Sequence, residues 1–157
     1  SVKPIETLGK RLVVFRFGVV ISKDQGLLKE IGRFLPFRSI PILGSGKQML
    51  SWIHMDDLCR MLLFGIQNNN LAGIYNACSS EPLPLAEFTK RIARRTYGPL
   101  YLKLPTPSFL IRWMLGKKGQ EMVLDGTWVS NKKIVQEKFP FKYPLLDNNC
   151  IDNLHID

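Results

Sequence analysis

Apolar positions follow two rhythms along this chain: one nearly continuous run near the start, then helical periodicities broken by polar turns. Residues 11–22, RLVVFRFGVVIS, are almost unbroken apolar and rich in Val and Phe. Such a run predicts a strand covered on both faces, as in the inner strands of a parallel sheet. Residues 26–35 set Leu27, Leu28, Ile31, Phe34 and Leu35 at helical spacing. The stretch 36–48, with Pro36, Pro41, Gly44 and Gly46, reads as a loop or a short irregular strand. A short strand over 51–55 then runs into Asp56, a residue type that caps helices. The helix behind it is expected to bury Leu58, Met61, Leu62, Phe64 and Ile66 and to end in the run Asn68–Asn70. A strand follows over 73–79, so strand, helix and strand make a βαβ unit. A helix over 84–97 turns Leu85, Phe88, Ile92 and Ala93 inward and stops at Gly98. Beyond a short strand over 101–104, Ser108 is read as capping a helix that holds Phe109, Leu110, Trp113 and Met114. Short helical pieces are expected near 120–125, 131–138 and 146–154. The layout predicts an α/β part followed by a mainly helical tail.

Composition narrows the function classes. Apolar residues make up 45% and charged residues 22%, as in a folded globular chain. The longest apolar run, Leu12 to Ile21, is broken by Arg16 and Gly18 and falls short of the roughly 20 residues a membrane helix needs. The net charge of +9, from 22 Lys and Arg against 13 Asp and Glu, would suit a polyanion surface. The cations are spread out, however, and the tightest group, Lys90 to Arg95, falls on the outer face of an expected helix. No nucleic-acid motif accompanies it, so neither nucleic acid nor a membrane is expected as a partner. Cys59, Cys78 and Cys150 are widely spaced, and with His54 and His155 as the two histidines they outline no metal site. Cys59 and Cys78 lie in apolar stretches and read as reduced core residues. The first residues, SVKPIETLGK, hold no apolar signal core and no initiator Met, so the chain is read as cytoplasmic and cut from something longer.

Residues 44–58, GSGKQMLSWIHMDDL, resemble a signature of extended short-chain dehydrogenase/reductases: a glycine turn, a Gln, a short strand and an Asp-initiated helix. The Ser-Trp-Ile-His version is similar to one subgroup, the epimerase-family or nucleoside-diphosphate-sugar-epimerase-like proteins, which carry a small extra C-terminal domain. Residues 16–22 (RFGVVIS), 73–77 (GIYNA) and 141–144 (FKYP) fit the same subgroup, in order, along essentially the whole chain. The resemblance implies an α/β fold, the C-terminal part of a Rossmann-type NAD(P)-binding fold with a mainly helical substrate and C-terminal lobe. Residues 1–100 would hold the late strands and helices of the Rossmann-like domain with substrate-lobe elements, and 101–157 a small helical C-terminal domain. It further implies NAD or NADP in the full-length protein and a small-molecule substrate, with a nucleotide sugar as one option.

Two family features are missing from this sequence. No G-x-x-G-x-x-G opens a βα turn, and so no glycine loop brings backbone against a pyrophosphate. No Tyr-x-x-x-Lys pair occurs either: Tyr75, Tyr97, Tyr101 and Tyr143 are followed four places on by Ser79, Tyr101, Pro105 and Asp147. These parts are expected N-terminal to Ser1, so the chain alone is not expected to catalyse the family's reaction, and no catalytic residue is assigned. A third departure concerns the substrate. Classical sugar-nucleotide epimerases carry, two places after the Gln, an Arg that grips the substrate diphosphate; here that place is Leu50, which cannot make a bidentate phosphate contact.

The candidate site residues follow from these patterns. Arg16 lies inside an apolar strand, where an unpaired charge is costly. It reaches cofactor or substrate, the resemblance favouring the cofactor side, or else it pairs with a carboxylate outside the chain. Gly18 and Val19 would lend backbone near the nicotinamide, or simply pack. Gln48, with Lys47 beside it, follows the glycine turn and either reaches a ligand or lies in a surface loop. Trp52 and His54 alternate onto one side of their strand and complete the substrate-side set with Gln48, although His54 reads as a packing histidine before a general base. Asp56 is read as the N-cap and Asp57 as a first-turn acid suited to the helix dipole. Trp113 and Met114 read as core, and Trp128, Lys132 and Lys133 as surface or partner features. The alternative to the enzyme reading is a non-catalytic module that self-associates through an exposed sheet edge.

Overall fold

The apolar run near the start does not form one strand, because Gly18 breaks it in two. A computed structural model of the chain describes residues 9–23, 25–106, 126 and 128–155. In it β1 spans Val13–Phe17 and β2 spans Val19–Ile21. A Cβ at Gly18 would lie 2.1 Å from the Ser51 carbonyl oxygen, so only glycine lets the chain pass there. Beyond it the Val19 N–H donates to that same carbonyl at 2.8 Å. Nor is the whole run covered on both faces: Arg16 is exposed and Phe17 is 62% exposed.

Helix α1 covers Gly26–Gly32, shorter than the expected 26–35, and a 3-10 turn follows over Leu35–Phe37. The Pro- and Gly-bearing stretch yields β3 at Ser39–Leu43, then β4 at Met49–Leu50 and β5 at Trp52–His54. Helix α2 runs Met55–Gln67, β6 Gly73–Ala77, β7 Leu83–Pro84, α3 Leu85–Tyr97 and β8 Leu102–Thr106. Two short helices close the chain, α4 at Lys132–Gln136 and α5 at Asn148–Asn153. The helix expected over Ser108 to Met114 and the piece near 120–125 lie outside the described residues.

The pairing is mostly parallel. β1 pairs with β6, Val13 opposite Gly73 through Phe17 opposite Ala77, and β2 pairs with β5, Val19 opposite Trp52. The strand–helix–strand unit β5–α2–β6 is therefore present, with each of its strands paired to one half of the early run. β3 and β8 form a second parallel pair, and β4 with β7 an antiparallel one. The parallel strands with helical connections make this an α/β fold.

Two main cores, with a smaller cluster of Ile40 and Ala93, hold the elements together. One gathers Val19, Ile21, Leu28, Ile31, Trp52, Phe88 and Ile92 with Tyr143, Leu146, Cys150 and Ile151 from the chain's end. The other gathers Ile53, Leu58, Met61, Leu71 and Tyr75 with Ile134 and Phe139. Each fully buried large side chain contributes about 1.5–3 kcal/mol by leaving water. The expected inward set on α3, Leu85, Phe88, Ile92 and Ala93, is buried throughout. On α2 the stripe is narrower than its sequence predicts. Leu58 and Met61 are buried, whereas Leu62 is 45% and Ile66 69% exposed. The inward face takes Gly65 instead, because Phe15 and Val13 lie where a side chain would go. Cys59, expected in the core, sits on the outer face of α2 and is exposed; Cys78 and Cys150 are buried.

Two caps differ from expectation. The N-cap of α2 is His54, whose Nδ1 accepts from the Asp56 N–H at 3.1 Å, and not Asp56. Asp56 instead pairs with Lys142 at 3.0 Å. At the other end of α2, the Arg11 guanidinium donates to the carbonyls of Gly65 at 2.8 Å, Leu71 at 3.1 Å and Asn68 at 3.2 Å. It thus serves carbonyls that a helix C-terminus leaves without partners.

Candidate functional site

Parallel strands place their carboxyl ends side by side, and ligands of open α/β sheets gather beyond those ends. Here the carboxyl end of β1 meets that of β6 in register, with Arg16 opposite Asn76. Side chains at paired positions of a sheet share a face, so Arg16 and Asn76 stand together. Past them lies a cavity of about 440 Å³, bordered by Arg16, Phe17, Gly18 and Val19 on one side and by Met49, Leu50 and Ser51 on another, with Asn76 and Val129 closing it.

Several of these groups are fixed by their neighbours. The Asn76 side-chain amide donates to the Ser130 carbonyl at 2.9 Å, and the Ser51 hydroxyl accepts from the Val129 N–H at 3.0 Å. Segment 128–131 is thereby tied to β6 and to the strand entering α2. Arg16 has no hydrogen-bond or ion-pair partner among the described residues, so its guanidinium is open to the cavity. The nearby Cys78 thiol is pushed up to about 11 by burial and donates to the Val129 carbonyl, so it is no nucleophile at neutral pH. Burial likewise pushes Cys150 up to about 12.

Of the residues singled out in the sequence, Arg16, Gly18 and Val19 come together on this cavity. Gln48, Trp52 and His54 do not border it. Gln48 accepts from the Ser45 hydroxyl at 3.0 Å within its turn, and its carbonyl accepts from the Leu85 N–H at the start of α3. Trp52 is fully buried, its Nε1–H donates to the Glu81 carbonyl at 2.8 Å, and its ring packs near Phe88. This makes Trp52 an interior anchor without surface on a cavity wall. His54 is 4% exposed and lies with its ring centre 4.2 Å from that of Tyr143. Its Nδ1 accepts, so the neutral ring carries its proton on Nε2, which has no hydrogen-bond partner among the described residues. Desolvation lowers its pKa below 6.5, against the pull of Asp56 and Asp57.

Sequence reasoning missed Ser51, Asn76 and Val129. Asn76 carried a usable signal, since pairing the two predicted inner strands in parallel sets it beside Arg16. Val129 carried none, because it arrives from 53 positions further along the chain. A second cavity of about 400 Å³ lies between β3 and α3, with Lys47, Lys90 and Lys103 around an apolar floor that includes Ile40 and Ile42. Among the described residues no group of three or more His, Cys, Asp or Glu is placed to hold a metal. No helix among them is long and apolar enough to cross a membrane.

Comparison with known proteins places this geometry. Residues 106–150 match the family model described as a domain of unknown function, DUF1731. An epimerase family protein of Staphylococcus saprophyticus is 37% identical over 157 residues, covering 98% of this chain and 50% of that protein. The epimerase family protein YfhF of Bacillus subtilis is 32% identical over 91% of this chain and 46% of its own length. The chain belongs to the epimerase family proteins. It spans about half the length of the curated relatives it matches.

Among solved structures, the human epimerase family protein SDR39U1 (isoform 2) with NADPH superposes with a TM-score of 0.77 at 26% identity, over 93% of this chain and 49% of the human one. UDP-glucose 4-epimerase of Thermus thermophilus, in complex with NAD, reaches a TM-score of 0.68 at 16% identity over 96% of this chain and 47% of that enzyme. The second likeness is one of fold. The α/β fold of this chain is that of the Rossmann-type epimerases.

The cavity residues fit one part of a dinucleotide. An open guanidinium and a strand end with free approach suit the reacting end and its partner. The sequence has no glycine loop to hold a pyrophosphate at a helix N-terminus.

Proposed function

We propose that this chain is the C-terminal, substrate-side half of an NAD(P)-dependent epimerase or reductase and is inactive alone. Residues 1–100 complete the nucleotide-binding fold with substrate-lobe elements, and 101–157 add β8 and a further lobe that holds the short helices α4 and α5. The observation that carries this reading is the cavity at the joined carboxyl ends of β1 and β6, where Arg16 stands open beside Gly18 and Val19. In this reading that cavity receives the reacting ends of cofactor and substrate. The NADPH of the human relative supports the cofactor class. When bound, the cofactor supplies hydride transfer at a carbinol or keto carbon. Gly18 and Val19 border the nicotinamide end, Arg16 contributes the charge, and Gln48 belongs to the turn that leads to the substrate side. Trp52 and His54 support that side from behind, as the buried residues on which its strand rests. The three cysteines, all unpaired, suit a reducing compartment, here the cytoplasm.

A chimaera tests this reading. The chain replaces the matching half of the Staphylococcus saprophyticus relative, and NADPH and NADH are titrated by fluorescence. Micromolar binding of either cofactor by a cooperatively melting chimaera is expected; a folded chimaera that binds neither overturns the reading.

A second reading has its own observation. Cys59, Leu62, Leu63 and Ile66 make an exposed stripe on the outer face of α2, and β1 pairs on one edge only among the described residues. Both features would let the chain self-associate as a non-catalytic module. A monodisperse monomer in sedimentation equilibrium at 100 micromolar would remove that reading.

A further inference from the structure

We infer that the cavity at the end of β1 takes a monocarboxylate borne on an apolar body, with Arg16 as its anchor, and that it discriminates against nucleotide diphosphates. This inference rests on the cavity being the substrate site proposed above, and it names the class of substrate.

The charge at the cavity decides the class. Arg16 is the one charged residue among the described residues that border it. Its guanidinium is exposed and engages nothing described, so its planar fork is available to a ligand. A guanidinium offers two parallel N–H donors that match one carboxylate, while a diphosphate spreads two to three charges over oxygens that need further donors. Among the described residues that border the cavity, no second cation is present to supply them. The Asn76 amide has one N–H committed to the Ser130 carbonyl, and the Ser51 hydroxyl accepts from the Val129 N–H.

The walls point the same way. Val19, Met49, Leu50 and Val129 are apolar, and Leu50 is packed down to 2% exposure. A second phosphate against them would lose its hydration with no compensating hydrogen bond. An aryl or alkyl body would bury its surface there instead. The volume of about 440 Å³ falls within the range of small-molecule sites.

The test uses the 157-residue chain and two probes, 3-phenylpropionate and uridine diphosphate, with affinities read from amide shifts in NMR titrations. The expected result has two parts. 3-Phenylpropionate shifts the amides of Gly18, Val19, Ser51 and Asn76 and binds at least tenfold more tightly than uridine diphosphate. Arg16→Ala weakens it at least tenfold, with Arg16→Lys between. Arg16 is exposed, so its variants should melt with the parent, which separates a lost contact from a lost fold.

The inference is overturned if uridine diphosphate binds the parent chain more tightly, if Arg16→Ala leaves 3-phenylpropionate unchanged, or if 3-phenylpropionate leaves those four amides unmoved. A chimaera that binds NADPH beside a cavity that ignores 3-phenylpropionate refutes the substrate class and spares the cofactor reading. The opposite pair of results does the reverse.

Discussion

His54 shows how one side chain joins a helix start to a distant segment. Its Nδ1 caps α2, its ring packs on Tyr143, and its desolvation disfavours the imidazolium. The sign of the pH effect follows. With a folded pKa below the unfolded 6.5, the unfolded chain binds a proton that the folded chain resists. The full contribution is present above pH 6.5 and falls as the pH drops through 6.5 toward the lower folded value. Asn accepts at an N-cap as Nδ1 does but does not titrate, so His54→Asn should flatten this part of the curve. Denaturant midpoints of parent and variant from pH 7.5 to 5.0 read the difference, which should shift in the variant's favour toward acid; parallel curves would contradict the assignment. Gly18 poses a steric question. Gly18→Ala must push the Ser51 carbonyl away and should cost about 1–3 kcal/mol, as overpacking does. An unchanged melting point would mean that the β1–β2 break tolerates a side chain.

At the scale of elements, Asp57 ties the start of α2 to the segment at 142–143. Its carboxylate is fully buried and accepts from the Lys142 N–H at 2.8 Å and the Tyr143 N–H at 2.7 Å, with Arg60 at 3.3 Å. A first-turn acid on α2 thus receives a segment 85 residues away, while Asp56 pairs with the Lys142 side chain. Asp57→Asn turns one acceptor into a donor facing an N–H, and should destabilise by about 2–3 kcal/mol. Equilibrium urea unfolding measures it, and a loss below half a kcal/mol would reduce the contact to a bystander. The same residue marks what local pattern can tell. Asp56 and Asp57 both read as helix-start acids, and which one caps and which reaches across is set by side chains that meet only in three dimensions. The outward cations of α3 behave similarly. Lys90 and Arg91 engage Glu87, Arg91 reaches Glu81 and Arg95 reaches Asp152, so an expected solvated face is in part a docking face for the chain's end.

Across the whole molecule, local periodicity made most elements legible: β5, α2, β6 and α3 fall where the apolar spacing places them. Exposure was less legible, for a physical reason. Leu62 and Ile66 on α2 satisfy a helical stripe as well as Leu58 and Met61 do, and only the approach of β1 to Gly65 decides which side faces inward. The candidate cavity was legible in part, through Arg16, Gly18 and Val19. A lone Arg in an apolar strand pointed to the cavity, and the resemblance of residues 16–22 and 44–58 pointed to the family. Ser51, Asn76 and Val129 became visible only once strand register and a long return of the chain brought them together.

The central claim is that this chain is one half of a cofactor-dependent whole. The most direct measurement is the intact mass of the natural gene product, with sequencing of whatever precedes Ser1. Since the chain covers 50% of its Staphylococcus saprophyticus relative, a product of about twice 18.0 kDa is expected. The added half should open with a glycine-rich βα turn and carry a Tyr-x-x-x-Lys pair. A product of 18.0 kDa that begins at Ser1 would contradict the claim and leave the self-associating module in its place.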